Sequence, residues 1–123
     1  MKLPNTEEYL MKIIWKRETP FMRDIMGDYP EPKPAVTTVA TLLKRLQDRS
    51  VIAYRLFGNS RQYYPLISKE EYFSRRVNEI VKDFFGNSAL QFASFFTTTG
   101  NLTEKELEDL KKIVEQEIKR RKK

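Results

Sequence analysis

The sequence predicts a mainly α-helical protein that contains one small β-hairpin. Apolar residues recur at helical spacing through most of the 123 residues, and two runs rich in Val, Ile, Tyr and Phe fall between positions 51 and 66. The absence of Cys and His excludes disulfides, thiolate chemistry and the zinc sites built on these residues. We therefore expect no metal and no cofactor. The length indicates one small domain, alone or with an accessory module.

Two helices are expected before position 30. Asn5 and Glu8 have the spacing of a capping box, which predicts that the first helix begins there. Thr19 followed by Pro20 is typical of an N-cap and a first helical residue, so a second, shorter helix is expected from this pair to Gly27. The three prolines at positions 30, 32 and 34 then predict an extended connector, because each proline restricts the residue before it.

The third helix is predicted to be amphipathic and to begin between Pro34 and Val36. Its apolar stripe consists of Val36, Val39, Leu43 and Leu46, with Leu42 beside it. The opposite face carries hydroxyl and charged side chains, namely Thr37, Thr38, Thr41, Lys44, Arg45 and Asp48. A hairpin is then predicted over residues 51–57 and 61–66, with Gly58, Asn59 and Ser60 in the turn.

Three more helices are expected after the hairpin. They are one opened by the capping-box pair Ser68 and Glu71, a short one over residues 88–96 before a loop at 97–101, and one opened by the pair Thr103 and Glu106. We therefore divide the chain into residues 1–67 and residues 68–123. The N-terminus lacks a signal-peptide pattern and no apolar run is long enough to span a bilayer, so a soluble cytoplasmic protein is expected.

Positive charge is concentrated in one segment of the chain. The net charge is +6, and within residues 33–61 Lys and Arg outnumber a single Asp by five. A local excess of this kind inside a folded domain is typical of a surface that binds a polyanion.

Three helices followed by a hairpin are the order of a winged helix-turn-helix, in which the third helix enters the DNA major groove and the hairpin, or wing, lies along the backbone or an adjacent groove. Short polar side chains flanked by cations suit such a helix, because they can approach base edges and phosphates. The candidate DNA-binding residues are Thr37, Thr38, Thr41, Lys44 and Arg45 of the third helix and Arg55 and Arg61 of the strands.

Each of these assignments has an alternative. Thr and Lys on an amphipathic helix are often only a solvated face, and Arg45 has Asp48 or Asp24 as possible ion-pair partners. Aromatic residues of a small hairpin, here Tyr54, Tyr63 and Tyr64, more often pack in the core than stack on bases. A winged helix that binds proteins or RNA is the alternative function. An enzyme is not expected, because the acidic pairs are sequence neighbours on helix surfaces and no Gly-rich phosphate loop occurs.

Several strings resemble the BlaI/MecI penicillinase-repressor family, and together they cover nearly the whole chain. They are MKIIW (11–15), TTVATLLKRLQDRSVI (37–52), RQYYPL (61–66) and LTEKELEDLKKIV (102–114). The resemblance implies a homodimeric winged-helix repressor of a β-lactamase or related resistance operon that binds a palindromic operator. It assigns recognition-helix roles to Thr38, Thr41 and Arg45.

Two departures from the family pattern limit this transfer. Members that read the staphylococcal-type operator carry Lys and Arg where this chain has Thr37 and Ala40, so a different operator is expected. The copper-responsive branch has a Cys-x-Cys cluster, and because this chain has no Cys a copper sensor is excluded.

The C-terminal helices carry more apolar surface than about fifty residues in three short helices can bury by themselves. The residues expected to form a dimer interface are Phe84, Phe92, Phe95, Phe96, Leu107, Leu110, Ile113 and Val114. Twofold pairing is the commonest solution, with packing onto residues 1–67 in a monomer as the alternative. We therefore expect residues 1–67 to bind DNA and residues 68–123 to dimerise.

The resemblance also implies a mode of regulation. In this family a membrane-bound sensor protease cleaves the dimerisation region and so releases the operator. By analogy the scissile bond is expected within residues 88–96, at Ser94-Phe95, although both residues would ordinarily be read as dimer packing. The partners expected are therefore double-stranded operator DNA, a second copy of the chain and, as the resemblance implies, such a protease, with no small-molecule substrate.

Overall fold

The computed structural model describes residues 1–122, and these form six helices and one two-stranded sheet. The order is α1 (Asn5–Arg17), α2 (Met22–Asp28), α3 (Val36–Asp48), β1 (Ile52–Phe57), β2 (Ser60–Pro65), α4 (Lys69–Phe84), α5 (Ala89–Thr99) and α6 (Glu104–Arg121). The chain divides into two compact units, the first comprising Met1–Val77 and the second beginning at Asn78. This architecture confirms the predicted fold class, a mainly helical winged helix-turn-helix followed by further helices.

A single hydrophobic core holds α1, α2, α3 and the hairpin together in the first unit. Its fully or almost fully buried members include Leu10 and Ile14 of α1, Ile25 of α2, Val39, Leu43 and Leu46 of α3, and Ile52 of β1. Burial of each such side chain contributes about 1.5–3 kcal/mol relative to exposure. Val36, which was expected in the apolar stripe of α3, lies in the first turn and is 54% exposed. The stripe that orients α3 therefore begins at Val39.

The start of α1 differs from the predicted capping box. Pro4 occupies the N-cap position and Asn5 is already helical, with no side-chain cap. The Glu8 carboxylate, which was expected to close the box, instead accepts a hydrogen bond from the Tyr72 hydroxyl at 2.7 Å. Glu8 therefore forms a tertiary hydrogen bond with Tyr72 instead of a local one at the start of the helix.

The second helix also begins later than predicted. It starts at Met22, because the Asp24 carboxylate accepts a hydrogen bond from the Phe21 backbone N–H at 2.9 Å and so makes Phe21 the N-cap. Pro20 therefore precedes the helix. Gly27 lies within the helix, which continues to Asp28.

The hairpin has a regular antiparallel register from Ile52 opposite Pro65 to Phe57 opposite Ser60. Phe21 forms an isolated antiparallel bridge with Gln62, so one residue before α2 pairs with the outer edge of β2. The predicted strand boundaries agree with the observed ones to within one residue at each end.

The first turns of α4 pack on the core of the first unit. Tyr72 is 1% exposed, and its hydroxyl accepts a hydrogen bond from the Leu3 backbone N–H at 3.0 Å. The Trp15 ring lies 5.7 Å from that of Tyr72 and 5.8 Å from that of Phe73, measured between centroids. These contacts lie within the first unit, which ends at Val77 inside α4, ten residues beyond the division at position 67 expected from the sequence.

The second unit contains the remainder of α4 together with α5 and α6. The Thr103 and Glu106 capping box at the start of α6 is confirmed, with both reciprocal hydrogen bonds formed. In contrast, α5 does not end at position 96, because the hydroxyls of Thr97, Thr98 and Thr99 donate to carbonyls four residues earlier at 2.6–2.8 Å and these residues stay helical. Among the described helices, none has the length and apolar character needed to cross a membrane.

Candidate nucleic-acid interface

The outward face of α3 is polar and freely accessible. Val39, Leu43 and Leu46 point into the core, and the helical period therefore turns the intervening residues toward solvent. The exposed residues on this face are Thr37, Thr38, Ala40, Thr41, Lys44, Arg45 and Asp48. All five α3 residues expected to bind DNA thus lie on one accessible surface, and none of them supports the core.

The contacts on this face differ from residue to residue. The Thr41 hydroxyl donates to the Thr37 carbonyl at 3.0 Å, and its oxygen can still accept a hydrogen bond. Lys44 forms an exposed ion pair with Asp48 at 3.0 Å, so the partner that the sequence offered to Arg45 is taken by Lys44. Among residues 1–122, Arg45 has no carboxylate within ion-pair distance. Its charge is therefore available to an external anion.

The two wing arginines lie on opposite faces of the hairpin. Leu56 pairs with Arg61 and Arg55 pairs with Gln62, and adjacent cross-strand pairs point to opposite sides of a sheet. The Arg61 guanidinium lies 4.4 Å from the centroid of the Tyr54 ring, and that of Arg55 lies 5.0 Å from the Tyr64 ring. These aromatic platforms hold both exposed cations in place while leaving their N–H donors free to bind acceptors.

The tyrosines of the wing have mixed environments. Tyr63 is 5% exposed and belongs to the core, as expected, whereas Tyr54 and Tyr64 are half-buried beneath the arginines. Tyr54 also contacts Tyr63, with ring centroids 5.9 Å apart. Their role is therefore to support the wing and its cations.

Sequence reasoning missed one cationic residue beside the wing. Arg23, in the first turn of α2, lines a cleft of about 450 Å³ together with Arg61 and Asn59 of the hairpin. The guanidinium of Arg23 lies 5.8 Å from the ring centroid of Phe21. A signal for Arg23 existed in the sequence, since in helix-turn-helix proteins the first helix of the pair crosses the DNA backbone.

Two other cations of the basic segment have structural tasks instead. The Lys33 ammonium donates to the Met26 and Tyr29 carbonyls, each at 2.8 Å, and so caps the C-terminus of α2. Arg49, at the C-cap of α3, lies with its Nε 3.2 Å from Oε1 of the buried Glu7 in α1. The positive excess of residues 33–61 is thus partly used to position α2 and α3.

The second unit carries an apolar surface that its own helices leave open. Neither α5 nor α6 contains a buried residue. Of the residues expected at a dimer interface, Phe92 and Leu110 are half-buried and the others are exposed, namely Phe84, Phe95, Phe96, Leu107, Ile113 and Val114. Leu90 and Ile118, which the sequence analysis did not select, are exposed as well, at 81% and 47%.

The aromatic residues of this unit form one cluster. The ring of Phe85 contacts those of Phe92 and Phe95 at centroid distances of 5.4 and 5.3 Å, and Phe92 stacks on Phe96 at 6.3 Å. Such pairs hold α5 against the end of α4, but they leave half of the Phe95 side chain, 52%, in contact with solvent.

Within the described residues, no group of three or more acidic side chains is arranged to hold a metal ion.

A search among curated proteins gives no significant match to this chain. A family model described as Penicillinase repressor, however, matches residues 3–116 and so covers the winged helix and most of the helices after it. The chain therefore belongs to the penicillinase repressor family, a family of transcriptional repressors.

Proposed function

We propose that this protein is a homodimeric repressor that binds a palindromic operator in double-stranded DNA through α3 and the wing. Membership of the penicillinase repressor family supports this proposal. The observation that carries it is the outward face of α3, where Thr37, Thr38, Thr41 and Arg45 are exposed above a stripe of fully buried aliphatic side chains. A rigid polar helix face of this kind fits the major groove.

The proposal assigns different tasks to the exposed residues. Thr38 and Thr41 offer hydroxyls to base edges and methyl groups to thymine, whereas the unpaired Arg45 is suited to a guanine or a phosphate. Lys44 can leave Asp48 for a phosphate at little cost, because an exposed pair of this type is worth about 0–1 kcal/mol. Arg55, Arg61 and Arg23 are assigned to backbone phosphates beside the groove.

Dimerisation through the second unit completes the proposed binding mode. The exposed apolar residues of α5 and α6 supply a surface that a second copy would cover. Two α3 helices related by a dyad would then read half-sites separated by one helical turn, ~10 base pairs, or by a multiple of it.

We also propose that repression is relieved by cleavage within residues 88–96, at the Ser94-Phe95 bond. Both residues are exposed on α5, and a cut there would separate α6 from the rest of the chain. A membrane-bound sensor protease would supply the cut. When the dimer no longer joins two DNA-binding units, operator occupancy falls by orders of magnitude, because binding of the second half-site is no longer intramolecular.

Selection of bound fragments from random duplex DNA tests the DNA-binding proposal. The expected product is an inverted repeat, which would identify both the ligand class and the twofold symmetry. Binding to the selected sequence should weaken by about 10³-fold or more between 50 and 200 mM salt, since it depends on several phosphate contacts. Binding that does not weaken with added salt would instead support the protein-binding alternative. Binding that single-stranded RNA abolishes would support the RNA-binding alternative.

Substitutions on α3 test which face reads the operator. We expect Thr41→Ala and Arg45→Ala each to weaken binding of the selected site by about 1–3 kcal/mol without lowering the free energy of unfolding. Arg75→Ala is a matched control, because Arg75 is an exposed helical arginine paired with Glu71 on α4. Equal affinity of wild type, Thr41→Ala and Arg45→Ala would mean that another surface binds DNA.

A designed cleavage site tests the proposed relief mechanism. A recognition sequence for a site-specific protease is inserted after Ser94, and the same sequence is appended to the C-terminus of a control protein. Cutting should lower operator affinity by about 10²-fold or more only in the first protein. Full affinity after cutting both proteins would contradict the mechanism.

A further inference from the structure

The first unit contains a second cavity that the proposed DNA-binding surface does not use. It has a volume of about 650 Å³ and lies between α1, the end of the hairpin and the first turns of α4. Its lining includes Lys12, Trp15, Lys16, Lys69, Glu70 and Phe73. None of the residues assigned to DNA lines it, and its volume is within the range of small-molecule sites.

The floor of the cavity is aromatic and fixed. Trp15 and Phe73 are half-buried, and their rings lie 5.8 Å apart between centroids. The indole N–H of Trp15 already donates to the Ile67 carbonyl at 2.9 Å, so the ring has no donor left to satisfy. The side of the indole that faces the cavity therefore offers an apolar surface to a flat ligand.

The rim of the cavity is positively charged. Lys12 and Lys16 stand one helical turn apart on α1, and Lys69 faces the cavity from the start of α4. Glu70 is the one acidic residue in the lining. Among residues 1–122, none of these three ammonium groups has a carboxylate within 4.0 Å, since Asp28, the acid near Lys16, is held by Arg17 at 2.7 Å. In the lining, the three ammonium groups therefore outnumber the single carboxylate.

We propose that this cavity binds a small organic anion with a flat apolar body, such as an aromatic carboxylate. The ring of the ligand would pack on Trp15 and Phe73, and its carboxylate would lie among the ammonium groups of Lys12, Lys16 and Lys69. The site is independent of the proposed operator binding, because the two use different residues.

Trp15 makes the site directly observable, because it is the only tryptophan of the chain. Iodine quenches indole fluorescence on contact, so 4-iodobenzoate serves as the probe for the full-length protein. We expect quenching of Trp15 that saturates, with a dissociation constant of about 0.1–1 mM, as suits a ligand of this size. Binding of the probe to the apolar surface of the second unit is silent in this measurement, since that unit has no tryptophan.

Two matched comparisons separate recognition of the anion from simple contact. 4-Iodobenzamide has the same shape without the charge, and it should bind about tenfold more weakly. The double variant Lys12→Gln/Lys16→Gln should weaken 4-iodobenzoate binding by about tenfold and leave the amide unaffected. The control Lys111→Gln/Lys112→Gln removes the same charge from exposed positions on α6 and should change neither.

The proposal is overturned if quenching by 4-iodobenzoate rises linearly without saturation, as it would for random collisions. It is equally overturned if the acid and the amide bind alike, or if the α1 and α6 double variants have the same effect. Sodium iodide alone should quench only linearly, and saturation by iodide would show an adventitious ion only. Because none of these measurements contains DNA, failure of the operator proposal would leave this result unchanged.

Discussion

Glu7 is a charged residue inside the core of the first unit. Its side chain is 2% exposed, while that of its partner Arg49 is 41% exposed. The 3.2 Å separation of Arg49 Nε and Glu7 Oε1 is an ion-pair distance, although the N–H is not aligned as a hydrogen bond to that oxygen. Because Arg49 follows the last residue of α3, this pair ties the end of α3 to the first turn of α1.

The unequal burial of the two partners leads to an unequal cost of removing them. Arg49→Met leaves a carboxylate without its partner in the core, and we expect the free energy of unfolding to fall by about 2–3 kcal/mol. Glu7→Gln leaves a guanidinium that water can reach, and about 1 kcal/mol is expected. Urea denaturation measures both.

A double-mutant cycle with Glu7→Gln/Arg49→Met completes this test, and the double variant should be more stable than Arg49→Met alone. The exposed pair Lys44 and Asp48 is the matched control, because its side chains are 71% and 62% exposed and its removal should cost under about 0.5 kcal/mol. Equal costs for Glu7→Gln and Arg49→Met would show that burial does not control this interaction.

A second ion pair predicts a dependence of stability on pH. Asp28 accepts two hydrogen bonds from Arg17, each at 2.7 Å, and these bonds lower the pKa of its carboxyl group from the ordinary 3.8. The unfolded chain therefore takes up the proton at a higher pH than the folded protein does. The stability gained from the pair is complete above about pH 4 and is lost as the pH falls through the lowered pKa.

We therefore expect the difference in unfolding free energy between wild type and Asp28→Asn to be constant near neutral pH and to shrink below pH ~4. Urea denaturation at a series of pH values measures it. Asp83→Asn is the control, because it removes the same charge from an exposed position on α4. A difference that grows toward low pH would contradict the assigned sign.

Among the secondary-structure elements, those with local signals were predicted best. The apolar period of α3 from Val39 onward, the paired strands and the Thr103 and Glu106 capping box all have their determinants within a few residues, and the structure agrees with them. The starts of α1 and α2 were predicted wrongly for two different reasons. At α2 the Asp24 carboxylate accepts a hydrogen bond from the Phe21 backbone N–H, which makes Phe21 the N-cap in place of Thr19. At α1 the Glu8 carboxylate is taken by Tyr72, sixty-four residues away, and no local pattern reveals that contact.

The accessible face of α3 could likewise be deduced from periodicity, since burial of one stripe exposes the other. The role of each individual cation could not be deduced in this way. Lys33 and Arg49 contribute to the basic segment in the sequence, yet their partners come from α2 and α1. Arg23 lies outside that segment, and it lines a cleft with Arg61 beside the bridge between Phe21 and Gln62.

The cap of α6 provides a prediction about a whole element. Thr103 accepts a hydrogen bond from the Glu106 backbone N–H at 3.1 Å, and Glu106 accepts one from the Thr103 N–H at 3.0 Å. We expect Thr103→Ala to lower the stability of α6 by about 1 kcal/mol, measured as faster amide hydrogen exchange in its first two turns. Thr6→Ala, at an exposed and uncapped position in α1, should leave exchange in α6 unchanged. Unchanged exchange in Thr103→Ala would mean that contacts other than the cap hold the start of α6.

At the scale of the whole molecule, the two units bury their apolar side chains to different extents. The first unit buries aliphatic residues from α1, α2, α3 and the hairpin. In the second unit, α5 and α6 bury none, and large apolar side chains such as Phe84 and Leu90 remain 78% and 81% exposed. Apolar surface on this scale is typical of a protein interface, and so we predict that this surface is the one that self-association covers.

A negative charge introduced into this surface should therefore separate the subunits. We expect Phe95→Asp and Leu110→Asp each to weaken dimerisation by about 100-fold, which corresponds to about 3 kcal/mol, in sedimentation measurements. Gln91→Asp on α5 and Gln116→Asp on α6 place the same charge at exposed polar positions and should leave the dimer intact. The emission of Trp15 should be unchanged in all four variants, because its contacts lie in the first unit. Operator affinity should fall with dimerisation in the first two, because a separated subunit holds only one half-site. A persistent dimer with full operator affinity in Phe95→Asp and Leu110→Asp would place the interface elsewhere on the chain.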